Sequence, residues 1–127
     1  MRKSGTLDEN KAAMKRIVAI FTTGDLSAVD EVIAPDYLDH QGLGGITMRG
    51  QEGFRQVVTA VHAALPQLHV VIHDVIAEDD TVVARLRWHS IDTAGKAIDR
   101  ETIEILRFVD RRAVEHWGAE SWACERG

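Results

Sequence analysis

At 127 residues, 45% of them hydrophobic and 28% charged, the chain is sized for one domain with its own core and leaves no length for a second folding unit. Fifteen Lys and Arg against twenty Asp and Glu give a net charge of −5 without any long block of one sign, which argues against a nucleic-acid partner. The apolar run Ile17 to Phe21 is far short of the roughly 20 residues a bilayer needs and is neither a membrane span nor a signal peptide. The single cysteine, Cys124, cannot close an internal disulfide and suits a reducing cytoplasm.

Residues 1–6 read as a tail ahead of one continuous domain. Thr6, with Glu9 three residues on, forms a capping-box signal, and Met14, Ile17, Val18 and Phe21 keep helical spacing up to Gly24. Ser27 with Asp30 repeats the signal for a short second helix with Val29, Val32 and Ile33 on its apolar face, ended by Pro35. Tyr37 to Gln41 reads as a short strand running into a glycine loop (Gly42, Gly44, Gly45, Gly50). The loop lacks the Lys-Ser/Thr of a phosphate cradle. Phe54, Val57, Val58, Val61 and Leu65 restore helical spacing until Pro66. Four β-branched runs then follow, Val70–Ile76, Thr81–Ile91, Ile98–Val109 and Ala113–Trp122, joined by tight polar turns. Helices first and a strand meander after them predict an α+β fold. One sheet face is buried on the helices, the other faces solvent or a second subunit, and a pocket lies between sheet and helices.

Ala34-Pro35-Asp36-Tyr37-Leu38-Asp39-His40, Gly50-Gln51-Glu52-Gly53-Phe54, and Ile103–Phe108 running into Val114-Glu115-His116-Trp117-Gly118 resemble the SnoaL-like polyketide cyclases of the NTF2-like superfamily. The resemblance covers nearly the whole chain. It implies a cone-shaped barrel in which three N-terminal helices pack on a strongly curved antiparallel sheet around an apolar cavity. It also implies proton removal next to a carbonyl of a small hydrophobic molecule without a cofactor, and a homodimer through the outer sheet face. Two positions depart from the family pattern: Asp92–Lys96 turns at once where a longer loop is usual, and Gly118 stands where characterised cyclases carry an acid.

Strand alternation places Val82, Ala84, Leu86 and Trp88 inside and Arg85, Arg87 and His89 outside. The family alignment aims His116, Gly118, Glu120 and Trp122 at the cavity, and Arg100, Thr102 and Glu104 with them. Glu104 and His116 are the acid/base candidates, since neighbouring strands can bring a carboxylate and an imidazole within hydrogen-bond reach. The bland alternative is that they satisfy one another, or Arg100, inside the sheet. His40 is placed at the cavity mouth, either binding a substrate carbonyl or capping the loop. Tyr37, the only tyrosine, is the available phenol for an oxyanion. Ligand contacts are thus expected from Tyr37, His40, Leu86, Trp88, Arg100, Gly118, Glu120 and Trp122. No metal is expected, because His69 and His73 on one strand face stand about 13 Å apart. Two further readings compete. A non-catalytic lipophilic-ligand or protein-binding module is favoured by Gly118. An epoxide-hydrolase-like site would use Arg100, Glu104 and Glu120 as two carboxylates with an arginine.

Overall fold

A computed structural model of the chain describes residues 5–120. The expected tail over residues 1–6 falls partly outside that range, and Trp122 and Cys124 lie outside it. Helix α1 spans Leu7–Thr23. Its start is the reciprocal capping box: Thr6 Oγ1 accepts from the Glu9 amide at 3.1 Å and the Glu9 carboxylate accepts from the Thr6 amide at 2.9 Å. Its end is Gly24, whose φ of 73° lets the amide reach back to the Ile20 carbonyl. Helix α2 is a single turn, Val29–Val32, with no side-chain cap. The Ser27–Asp30 signal is therefore replaced by Asp25, which accepts from the Ser27 amide.

Pro35 does not end α2. It lies inside strand β1, Ile33–Leu43, where the pairing with the neighbouring strand shifts register, as a residue lacking an N–H requires. The glycine loop is likewise a hairpin. Gly44 and Gly45, both at positive φ, turn β1 back into strand β2, Ile46–Arg49. Helix α3, Gly50–Ala64, follows and stops before Pro66. Strands β3 (His69–Glu78), β4 (Thr81–Ile91), β5 (Ala97–Val109) and β6 (Arg112–Glu120) form the meander.

Among the described residues the sheet has six strands, the short strand and the four later runs read from the sequence joined by β2, in the order β2-β1-β6-β5-β4-β3. Every neighbour pair is antiparallel except β1 and β6, which run parallel. That pairing joins segments far apart in sequence and has no local signature in either. Irregularities between Ile72 and Asp74 on β3 and between Arg107 and Phe108 on β5 bend the sheet around the helices. Helix α1 packs on β3 and β4, α3 on β1 and β2. Met14, Ile17, Phe54, Val82, Leu106 and Phe108 are buried at the centre.

The outer face is charged and ordered in rows. Arg85 meets Asp74 at 2.6 Å, and Arg87 meets Asp99 at 2.8 Å and Glu101 at 3.0 Å. Between such rows Ile103 and Trp117 remain 39% and 38% exposed. Among the described residues no helix is long and apolar enough to cross a membrane.

Candidate active site

A cavity of about 670 Å³ opens between the concave sheet face and helices α1 and α3. Its deep wall is apolar because α1 and α3 turn Ile17, Phe21, Phe54 and Val61 towards the inward set of β4. That set includes Leu86 and Trp88, and Trp88 anchors its indole by donating to Thr102 Oγ1 at 2.7 Å. Tyr37, Phe54, Phe21 and Trp88 form an edge-to-face chain with ring centroids 5.9, 5.6 and 5.7 Å apart.

Polar groups converge at one end, where β1, β6 and β5 lie side by side. Asp39, His116 and Glu104 project from these three strands into one line. His116 Nδ1 is 2.7 Å from Asp39 Oδ1, and Nε2 is 2.6 Å from Glu104 Oε1. All three side chains are nearly enclosed, with exposures of 5%, 13% and 12% for Asp39, His116 and Glu104. Burial alone disfavours the imidazolium, but hydrogen bonds and charge from Asp39 and Glu104 outweigh it and raise the His116 pKa to about 9. At neutral pH both ring nitrogens therefore donate, one to each acid. Burial pushes the Asp39 carboxyl up. The His116 hydrogen bond and charge, together with the amides of Gly42 and Gln41 on Oδ1, outweigh that and hold it below the ordinary aspartate value.

Tyr37, 3% exposed, lines the same end. Burial first, then the charges of Asp39 and Glu104, push its phenol well above the usual range, so it stays a donor. At the rim Arg100 pairs with Glu120 at 3.7 Å, both largely exposed.

Of the residues singled out from the sequence, the structure brings Glu104 and His116 together and puts Tyr37, Leu86 and Trp88 on the cavity wall, with Arg100 and Glu120 at its rim. Gly118 sits opposite Glu104 and contributes space: a Cβ there would run into Gln41 and Glu104. His40 is a correction. It points out of the cavity, bonds Glu115 Oε2 at 2.7 Å and stacks on Trp117 at 5.2 Å, because Tyr37 faces inward and odd and even positions of β1 face opposite sides. Arg100 does not bridge Glu104 and Glu120. Among the described residues it meets Glu120, and Glu104, four residues along the strand at about 13 Å, is held by His116 instead.

Asp39 and Gln41 join the cavity lining in addition to the residues singled out from the sequence. The same alternation carries their signal, since both share parity with Tyr37. Among the described residues no group of three or more His, Cys, Asp or Glu side chains is placed to hold a metal.

Comparison with known proteins agrees with this architecture. A proposed polyketide cyclase from Bacillus cereus superposes with a TM-score of 0.80 at 27% identity, over 89% of this chain and 74% of that one. A loop-truncation variant of IdmH, a proposed polyketide cyclase from Streptomyces antibioticus, gives 0.77 at 25% identity over 88% and 92%. A Catenulispora acidiphila protein with a ketosteroid isomerase-like fold, solved with trimethylamine, gives 0.73 at 18% identity over 84% and 83%, a likeness of fold alone. No curated protein sequence matches. The model of the SnoaL-like polyketide cyclases matches residues 11–121. With an α+β sheet-and-helix arrangement of the NTF2-like kind and a family match over almost its whole length, this chain belongs to the SnoaL-like polyketide cyclase family.

Proposed function

We propose that the chain is a cofactor-independent enzyme that moves a proton next to a carbonyl group of a small hydrophobic compound held in the cavity. One observation carries this reading: a carboxylate, Glu104, stands on the wall of a mostly apolar cavity with one oxygen pinned by His116. Glu104 takes the proton from the carbon beside the carbonyl, and the electron pair left behind moves onto the carbonyl oxygen as an enolate. The protonated Tyr37 hydroxyl donates to that oxygen. The enolate then either takes the proton back from Glu104 at the far carbon of a double bond conjugated with it, which shifts that double bond, or its carbon attacks a second carbonyl of the same molecule, whose new alkoxide takes that proton. His116 stays protonated throughout and acts as the positive partner of Glu104, oriented by Asp39. It is not the base at neutral pH.

A thermal-shift screen against aromatic polyketide esters, cyclic ketones, terpene epoxides and fatty acids names the ligand class by mass action. Turnover of the stabilising class should then fall by about 100-fold or more in Glu104→Gln, in the range of lost acid/base catalysis. A folded variant with wild-type turnover would overturn the assignment.

A second reading rests on the closed ion triad itself, because each acid of the triad already has a partner, as in a structural network. The protein would then bind a lipophilic molecule without changing it. A saturable ligand recovered intact after prolonged incubation favours that reading. In either case we place a second copy of the chain against the outer sheet face, where Ile103 and Trp117 lie exposed between charge-compensated rows.

A further inference from the structure

Three strands place Gln41, Gly118 and Glu104 in one row across the cavity floor. Asp39 of β1 is in register with His116 of β6, so Gln41 falls beside Gly118 two residues further along the parallel pair. Gly118 in turn pairs with Glu104 of β5. A Cβ at position 118 would collide with the Gln41 amide oxygen and come within 2.6 Å of Glu104 Oε1 and 2.8 Å of Gln41 Cδ. The side chains of Gln41 and Glu104 thus share the space that Gly118 leaves open.

Some of the polar groups around this space are committed and others face the cavity, Tyr37 among them. Asp39 Oδ1 takes His116 and two amides, and both nitrogens of His116 are bound. Gln41 lines the cavity, and among the described residues its side-chain amide has no hydrogen-bond partner. Its oxygen lies over Gly118, and its Nε2 is a neutral donor.

We propose that Gln41, admitted by the missing side chain of Gly118, is a ligand-binding residue that donates its amide N–H to an oxygen of the bound carbonyl compound. The role deepens the reading of the cavity as a carbonyl site and predicts discrimination by oxygen rather than by shape. A cavity-facing donor that meets a carbonyl oxygen gains a bond, and the same donor covered by a hydrocarbon of equal size is left unpaired.

The test uses two probes of nearly equal shape, 2-acetylnaphthalene and 2-ethylnaphthalene, titrated against the full chain with Trp88 on the cavity wall as fluorescent reporter. The wild type should bind the ketone more tightly than the hydrocarbon. Gln41→Leu should weaken the ketone about fivefold to tenfold, the scale of one neutral hydrogen bond, and leave the hydrocarbon within about twofold. Gly118→Ala should also weaken the ketone, since its Cβ would meet the Gln41 amide as well as Glu104. Equal loss for both probes in Gln41→Leu, no loss in that variant, or a wild type that does not bind the ketone would each overturn the proposal. Glu104→Gln separates the two readings. If it keeps turnover while the Gln41 discrimination persists, the base assignment fails and the Gln41 role stands. If turnover is lost without any discrimination, the reverse holds.

Discussion

His116 carries its proton between two acids, and the stability this confers has a direction in pH. Its folded pKa, about 9, lies above the ordinary value of 6.5. The contribution is therefore fully present below about pH 6.5 and is lost as pH rises towards 9, where the folded state gives up the proton it held more tightly. The shift corresponds to an effect on the order of 3 kcal/mol. The groups that face the imidazole are Asp39 and Glu104, with Tyr37 close to both acids. Thermal melts should thus show a midpoint falling between pH 6.5 and 9, and His116→Gln should flatten that fall; an unchanged slope in the variant would refute the assignment. Asp39 works in the opposite sense. Its carboxyl is held below the ordinary value, so its contribution is present above about pH 4 and lost as pH drops through the lowered value. The two effects belong to one linked unit and do not add.

At the scale of elements, termini and turns decide more than strand interiors. Thr6→Ala removes one half of the α1 capping box and should lower stability by about 1 kcal/mol in urea titrations, with no change in cavity binding. Gly42 is more demanding. Its φ is +53°, a Cβ there would strike the Ile46 carbonyl, and its amide donates to Asp39. Gly42→Ala should therefore cost more stability than Gly44→Ala, whose Cβ would meet nothing within 4 Å, and should lower the His116 pKa by loosening Asp39. Proton-detected titration of the imidazole in the two variants checks the order.

These elements also explain what could be read from the residues. The capping box, the α3 stripe from Phe54 to Val61 and the inward parity of Val82 to Trp88 are local patterns, and local patterns are written in consecutive residues. The inward placement of Glu104 and His116 follows from the family likeness rather than from alternation, because Ile103 and Ile105 make the opposite face of β5 apolar as well. Pro35 and the glycines misled because proline and glycine mark both the ends of elements and irregular points within strands. Asp39 stayed hidden since its importance comes from β6, a pairing no window around residue 39 contains.

At the scale of the whole molecule, the proposed pairing of two copies through the outer sheet face predicts the state of association. Light scattering at micromolar concentration should give twice the 14.1 kDa chain mass, and Trp117→Glu should give the single-chain mass by placing a charge among the exposed apolar groups. A wild-type monomer would remove the second copy from the picture. The parallel β1–β6 seam has a different consequence, one of timing. Asp39 and His116 are separated by 77 positions along the chain, and Glu104 waits for the same imidazole. The helices and the β3–β5 meander close through shorter loops, whereas the seam demands the costliest closure in the sheet. Completion of the seam is thus the event that brings Asp39, His116 and Glu104 together on the cavity wall.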